Sequence, residues 1–223
     1  MGIGKLAVAV ILKSINPLLK MSLKTNTGIK KYLKEGLLIV FSVLFALFIN
    51  KAFENHQIQQ KKSIARESML KELRRNEAIL NNWKGKHLEI RQRIASILEG
   101  ENDSLRNELQ QYDFLNLGVL TNNQSLIDAI LTQTAWETAK TTGIITEFDY
   151  ESIQRLTQVY TMQEVLTDRT VAKILDYYFA TESHDLNNLD KTLVQLQLRF
   201  WELTGQEELM TELYSKAIEQ LEK

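Results

Sequence analysis

Residues 36–49 read Gly36-Leu-Leu-Ile-Val-Phe-Ser-Val-Leu-Phe-Ala-Leu-Phe-Ile49, fourteen positions without a charge. Alone this run is about 21 Å of helix, short of the roughly 30 Å hydrocarbon core of a bilayer. Apolar and interfacial residues extend it to Tyr32 and Leu33 on one side and to Ala52 and Phe53 on the other. The longer stretch, 32–53, reaches about 33 Å and places Lys34 and Lys51 where their amines snorkel to headgroups. It is apolar all round, which a surface helix of a soluble domain is not. A transmembrane helix is therefore expected over 32–53. A cleaved leader is not expected, because 35 residues precede the run and no small-x-small site follows it.

Charge is distributed around this run. Residues 1–50 carry seven lysines and one acid, residues 51–93 eleven Lys/Arg and five acids, and residues 94–223 nine Lys/Arg and twenty-two acids. Basic flanks around an apolar run suit anionic lipid headgroups. The acidic remainder repels phosphates, so nucleic acid is not an expected partner. The lysines cluster more densely before the run than after it, which predicts a cytoplasmic N-terminus and, in a bacterial inner membrane, a periplasmic C-terminal domain. Residues 3–23 read either as a basic amphipathic helix on the membrane surface or as a poorly ordered tail.

Nine glycines, one proline (Pro17) and no cysteine in 223 residues point to long helices with few turns, and exclude disulfides and thiolate chemistry. From Ala52 to Leu98 apolar residues recur at Ile58, Ala65, Met69, Leu73, Leu80, Trp83, Leu88, Ile94 and Leu98 without a strict heptad, which predicts a long helix packed in a bundle rather than a stalk. Asp103 or Ser104 is expected to cap a short helix to about Tyr112, and 113–123 to be irregular. Ser125-Leu-Ile-Asp128 resembles a capping box for a helix to Thr142, stopped by Gly143. Asp149 caps a helix to about Phe179. A further helix spans 186–203, and Thr204-Gly-Gln-Glu207 reads as a second capping box for a last helix to Leu221. The expected fold is all-α: a basic cytoplasmic tail (1–31), one N-terminal transmembrane helix (32–53) continuing into a long charged helix (54–98), then a helical bundle (99–223).

Trp136-Glu-Thr-Ala-Lys-Thr-Thr-Gly143, followed by Tyr150, Val159-Tyr160 and Gln163, is similar to a pattern in a bacterial family of single-pass, membrane-anchored helical proteins catalogued as a domain of unknown function. The resemblance covers about residues 30–180 and includes Glu35-Gly-Leu-Leu-Ile-Val40, Asn50 and the charged helix behind it. Where the family often has Asn-Trp-Asn-Glu, this chain has Asn50-Lys-Ala-Phe-Glu54. The resemblance implies an anchored helical architecture and no chemistry. It makes Trp136, Thr138, Ala139, Thr142, Gly143, Tyr150, Tyr160 and Gln163 the candidate positions.

Trp136, Thr138, Thr142 and Gly143 admit a pocket at a helix end, but Trp136 reads more readily as a core anchor and Gly143 as a helix stop. Tyr150 and Tyr160 read as packing aromatics. His56, His87 and His184 are scattered, so neither a metal site nor a cofactor nor a catalytic residue is expected, and the chain does not read as an enzyme. Two functions are carried forward. The first is a membrane-anchored interaction or scaffold protein, either homo-oligomeric or bound to an envelope protein. The alternative is a periplasmic ligand-sensing bundle that signals through a partner.

Overall fold

The computed structural model describes residues 27–223, with side chains from residue 31. The expected surface helix over 3–23 lies outside the described residues. The chain divides into two compact units, Met1–His56 and Gln57–Lys223, and the described residues are helical without a strand.

Helix α1 runs over Thr27–Leu98. Its part within the first unit holds the apolar run, where one 18-residue window has mean hydropathy 2.2 and no buried residue. By length and composition this helix is able to cross a membrane. Its polar side chains bond within the helix: Ser42 Oγ donates to the Leu38 carbonyl at 2.8 Å and Asn50 Nδ2 to Glu54 Oε1 at 2.8 Å. Such internal satisfaction is what hydrocarbon demands of polar groups.

In the second unit, α2 (Asp103–Gln110), α3 (Leu117–Thr121) and α4 (Thr134–Thr141) lead to α5 (Tyr150–Glu164). A π-helical segment, Val165–Val171, continues α5 into α6 (Ala172–Phe179). Thr167 Oγ1 donates to the Gln163 carbonyl at 3.0 Å where the π turn begins, competing for an acceptor of the regular i−4 ladder. Short 3₁₀ turns then lead to α7, Leu189–Glu222.

The bundle rests on two seams. On α1, apart from Glu72 beside the seam, the buried positions are Met69, Leu73, Asn76, Leu80, Trp83, His87, Ile90, Ile94 and Ile97, in alternating steps of four and three. On α7, Leu189, Leu193, Leu196, Phe200, Leu203, Glu207, Met210, Tyr214, Ala217 and Leu221 repeat the same steps. This is the 3.5-residue period of knobs-into-holes packing. The missing strict heptad of the sequence reading is thus corrected: two polar residues on α1 occupy seam positions, and Ile90 rather than Leu88 faces inward.

The α1–α7 contacts run Arg74–Glu222, Lys84–Glu208, His87–Glu207 and Arg91–Thr204, so the helices are antiparallel. Helix α5 lies parallel to α1, with Tyr160 bonded to Glu72 and Gln163 to Asn76.

Three further expectations need correction. The Ser125 capping box does not form, and α4 begins only at Thr134. Asp128 is instead taken by Trp83 Nε1 at 3.1 Å, Asn82 Nδ2 at 3.0 Å and the Lys86 ammonium. The Asn76 amide also binds both the N–H (3.0 Å) and the carbonyl (2.6 Å) of Thr132, holding this segment extended along α1. Residues 113–123 are not all irregular, because Asn116 caps α3 by accepting from Gly118 N–H at 3.0 Å. The box at Thr204 is interior to α7: Thr204 accepts from Arg91 at 2.9 Å and Glu207 turns into the seam.

The stops and caps at Gly143, Asp149 and Phe179 fall where expected, while α2 is capped one residue early, by Asn102. Asp149 accepts from both the hydroxyl (2.7 Å) and the N–H (2.8 Å) of Ser152, and these bonds hold its carboxyl below the usual carboxylate range. Because the folded value is the lower one, this stabilisation is complete above the ordinary aspartate range and is lost as pH falls through the folded value. Asp149→Ala is expected to cost about 1 kcal/mol at pH 7. In urea titrations that difference should shrink at strongly acidic pH.

Candidate binding cleft and interaction face

The candidate positions converge around α4. Trp136 is buried and stacks on Tyr160, with ring centroids 5.4 Å apart and planes 6° from parallel. The Lys140 ammonium lies 5.2 Å from the centre of the Trp136 ring. Tyr160 donates to Glu72 Oε1 at 2.8 Å, and the other Glu72 oxygen accepts the Ala135 N–H at 3.0 Å.

One turn along, Gln163 Oε1 accepts from Tyr214 Oη at 2.8 Å and from Asn76 Nδ2 at 3.1 Å. Burial pushes both phenols far above the ordinary tyrosine value, and the neighbouring Glu72 charge adds to it, so they remain donors. This buried network ties α1, α5 and α7 to the extended segment ahead of α4. Satisfied at these contacts, it fixes register more than it offers reactivity.

Gly143 takes the left-handed conformation (φ 74°) that ends α4. Tyr150 departs from its expected packing role. It is 81% exposed, since the first position of α5 projects away from the seam that Ser152, Leu156 and Val159 fill.

Thr138, Ala139 and Thr142 line a cleft of about 780 Å³ between α4 and α1, a size within the range of ligand sites. Thr134 and Ala135 complete the α4 wall. Across it, α1 presents Ile64, Ala65 and Ser68, with Lys61, Lys71 and Arg75 at the edge and Glu72 at the base. Sequence reading missed the α1 half because it lies some sixty residues from α4 and nothing local joins the two.

A second feature lies on the outer face of α7. Val194, Leu198, Trp201, Gly205 and Leu209 follow helical steps of four, three, four and four, all exposed, with Trp201 66% accessible. Leu88 of α1 joins Trp201 and Gly205 in lining a groove of about 390 Å³. The signal for it in the sequence was a second apolar stripe on a helix that already had one.

Among the described residues no three His, Asp or Glu side chains come within reach of a common metal ion. His87 is spent on Glu207, while His184 packs edge-on against Tyr178 with ring centroids 5.3 Å apart. No family model matches the chain, and no curated protein or solved structure is significantly similar to it.

Proposed function

We propose that this chain is an interaction protein, anchored in a bacterial inner membrane by residues 32–53, whose helical bundle associates through the outer face of α7 with a second copy. The observation that carries the reading is the exposed stripe centred on Trp201. A solvent-exposed tryptophan is the kind of side chain that anchors an interface centre, and the apolar residues in line with it make a contiguous exposed patch. The three-and-four spacing of the stripe matches the groove-filling pattern of a partner helix. Gly205 lets that helix approach closely, since a glycine puts no side chain between the two backbones. Copies sharing one membrane meet at a raised effective concentration, so a stripe this short suffices. The resemblance to single-pass anchored helical proteins supports the same architecture, and the lysine bias supports a periplasmic bundle.

The native chain has no cysteine, which makes the test direct. Gly205→Cys in the full-length, membrane-embedded protein is expected to form a disulfide-linked dimer on mild oxidation, whereas Tyr150→Cys, equally accessible but on α5, should not. Trp201→Ser should abolish the crosslink and leave a monomer by light scattering in detergent, without loss of helicity. A Gly205→Cys protein that stays uncrosslinked and monomeric would overturn the association.

A ligand-sensing bundle is the second reading, and the cleft between α1 and α4 is the observation in its favour. It requires a signalling partner.

A further inference from the structure

We infer that the cleft between α1 and α4 is a binding site for an anionic amphiphile, an alkyl chain ending in a phosphate or carboxylate. The inference goes beyond the association proposed above and does not depend on it.

The cleft exists because the α4 wall is built from threonine and alanine. Thr134, Ala135, Thr138, Ala139 and Thr142 are too short to reach α1, which opposes them with Ala65 and Ser68. Elsewhere α1 closes its seam with Leu80, Trp83 and Ile94. The surface left open is mainly carbon. Thr138 and Thr142 donate their hydroxyl protons to the carbonyls four residues back, at 2.7 Å each, so those protons are not free for a polar ligand. Ile64 and Ile144 add branched apolar surface. An alkyl chain fits such walls, and a sugar or nucleotide would leave its hydroxyls unpaired.

Charge selects the head group. Lys61, Lys71 and Arg75 lie along one α1 face, with Arg75 fourteen positions after Lys61, about 21 Å of helix. Among the described residues none of the three has a carboxylate within 4 Å. The single acid of the lining, Glu72, has both oxygens occupied by Tyr160 and the Ala135 N–H. The cleft therefore carries unneutralised positive charge beside a dry wall, where a charge-assisted bond to phosphate or carboxylate is strongest. In sequence Lys61 follows Phe53 by eight residues, so the basic stretch bordering the proposed span also lines the cleft. Two sources share this chemistry: an anionic bilayer lipid and a free amphiphile.

The test uses full-length protein in a non-ionic amphipol and three probes, decyl phosphate, inorganic phosphate and decanol, each below the micelle concentration of decyl phosphate. Decyl phosphate should bind at least tenfold more tightly than either of the others. Lys71→Ala with Arg75→Ala should weaken it tenfold or more, and Ser68→Leu, which narrows the cleft from its exposed α1 wall without touching charge, should do the same. Both variants should keep wild-type helicity and the Gly205→Cys crosslink, separating loss of ligand from loss of association. In nanodiscs, co-purification of phosphatidylglycerol that falls with Lys71→Ala/Arg75→Ala assigns the bilayer lipid. Decyl phosphate binding without retained lipid assigns a free amphiphile. Equal affinity for decanol or inorganic phosphate, indifference to both variants, or no binding of decyl phosphate would each overturn the site.

Discussion

His87→Ala is expected to destabilise the bundle by about 3–5 kcal/mol, the cost of leaving a buried charge or acid without its partner. Both His87 and Glu207 are 0% exposed. His87 Nε2 faces the Leu126 carbonyl at 3.0 Å, and because a carbonyl only accepts, Nε2 carries a proton. His87 Nδ1 and Glu207 Oε1 lie 2.6 Å apart and share one further proton. Glu207 Oε2 has no other partner. Truncating the imidazole removes the single hydrogen bond of that carboxyl group, strands the Leu126 carbonyl and opens a cavity between Trp83 and Phe200, whose rings flank His87 at 6.5 and 6.1 Å.

For a unit of this size the loss corresponds to a fall in midpoint of roughly 6–20 °C. Circular dichroism melting of the full chain in detergent checks it. The double variant His87→Leu/Glu207→Leu should recover most of the loss, because an apolar pair leaves no polar group unpaired. A single variant costing under 1 kcal/mol would mean that water reaches Glu207 in solution.

The same pair explains why the bundle was only partly legible in the sequence. Helix ends governed by one local residue were readable: Asp149 as a cap, Gly143 as a stop, Phe179 as the last turn. The seams were not, because Asn76 and His87 interrupt the apolar repeat of α1 and Glu207 resembles the far half of a capping box. Each is polar at a position where the 3.5-residue period demands a seam residue. A polar residue at such a position is read correctly only when its partner is known, and the partners lie 87 residues away (Asn76 to Gln163) and 120 residues away (His87 to Glu207). Polar seam residues of this kind select register, which a uniformly apolar seam leaves free to slide.

The segment 125–133 was misread for the same reason, since its helical signal is outweighed by the bonds that Asn76, Trp83 and Lys86 make to it. The candidate positions on α4 were found by resemblance, yet half of their cleft belongs to α1. Its composition follows from the pairing of the two helices and from nothing in either alone.

Two arginines in the centre of the apolar run, Val43→Arg with Leu44→Arg, are expected to release the protein from the membrane fraction. Each arginine at the middle of a span costs roughly 2.5–3.5 kcal/mol of insertion free energy. No residue of the 18-residue apolar window is buried, so no neighbouring helix within the chain shields an added guanidinium. Snorkelling does not rescue it either, because positions 43 and 44 lie near the midpoint of 32–53, about ten residues from either interface.

Wild-type protein should resist carbonate extraction, and the double variant should appear in the supernatant or be degraded. Lys34→Ala/Lys51→Ala, which alters the flanks alone, should remain in the pellet. Tyr150→Cys then reports the side of the membrane, since this position is 81% exposed while a site such as Ser183 is buried and bonded to the Tyr178 carbonyl at 2.8 Å. Labelling of intact spheroplasts by an impermeant maleimide is expected for the wild-type span. If wild-type protein were instead extracted by carbonate, the anchor would fail. The apolar run would then need to be covered by another protein, because a helix with every large side chain from Leu37 to Ile49 at least half exposed does not stay soluble by itself.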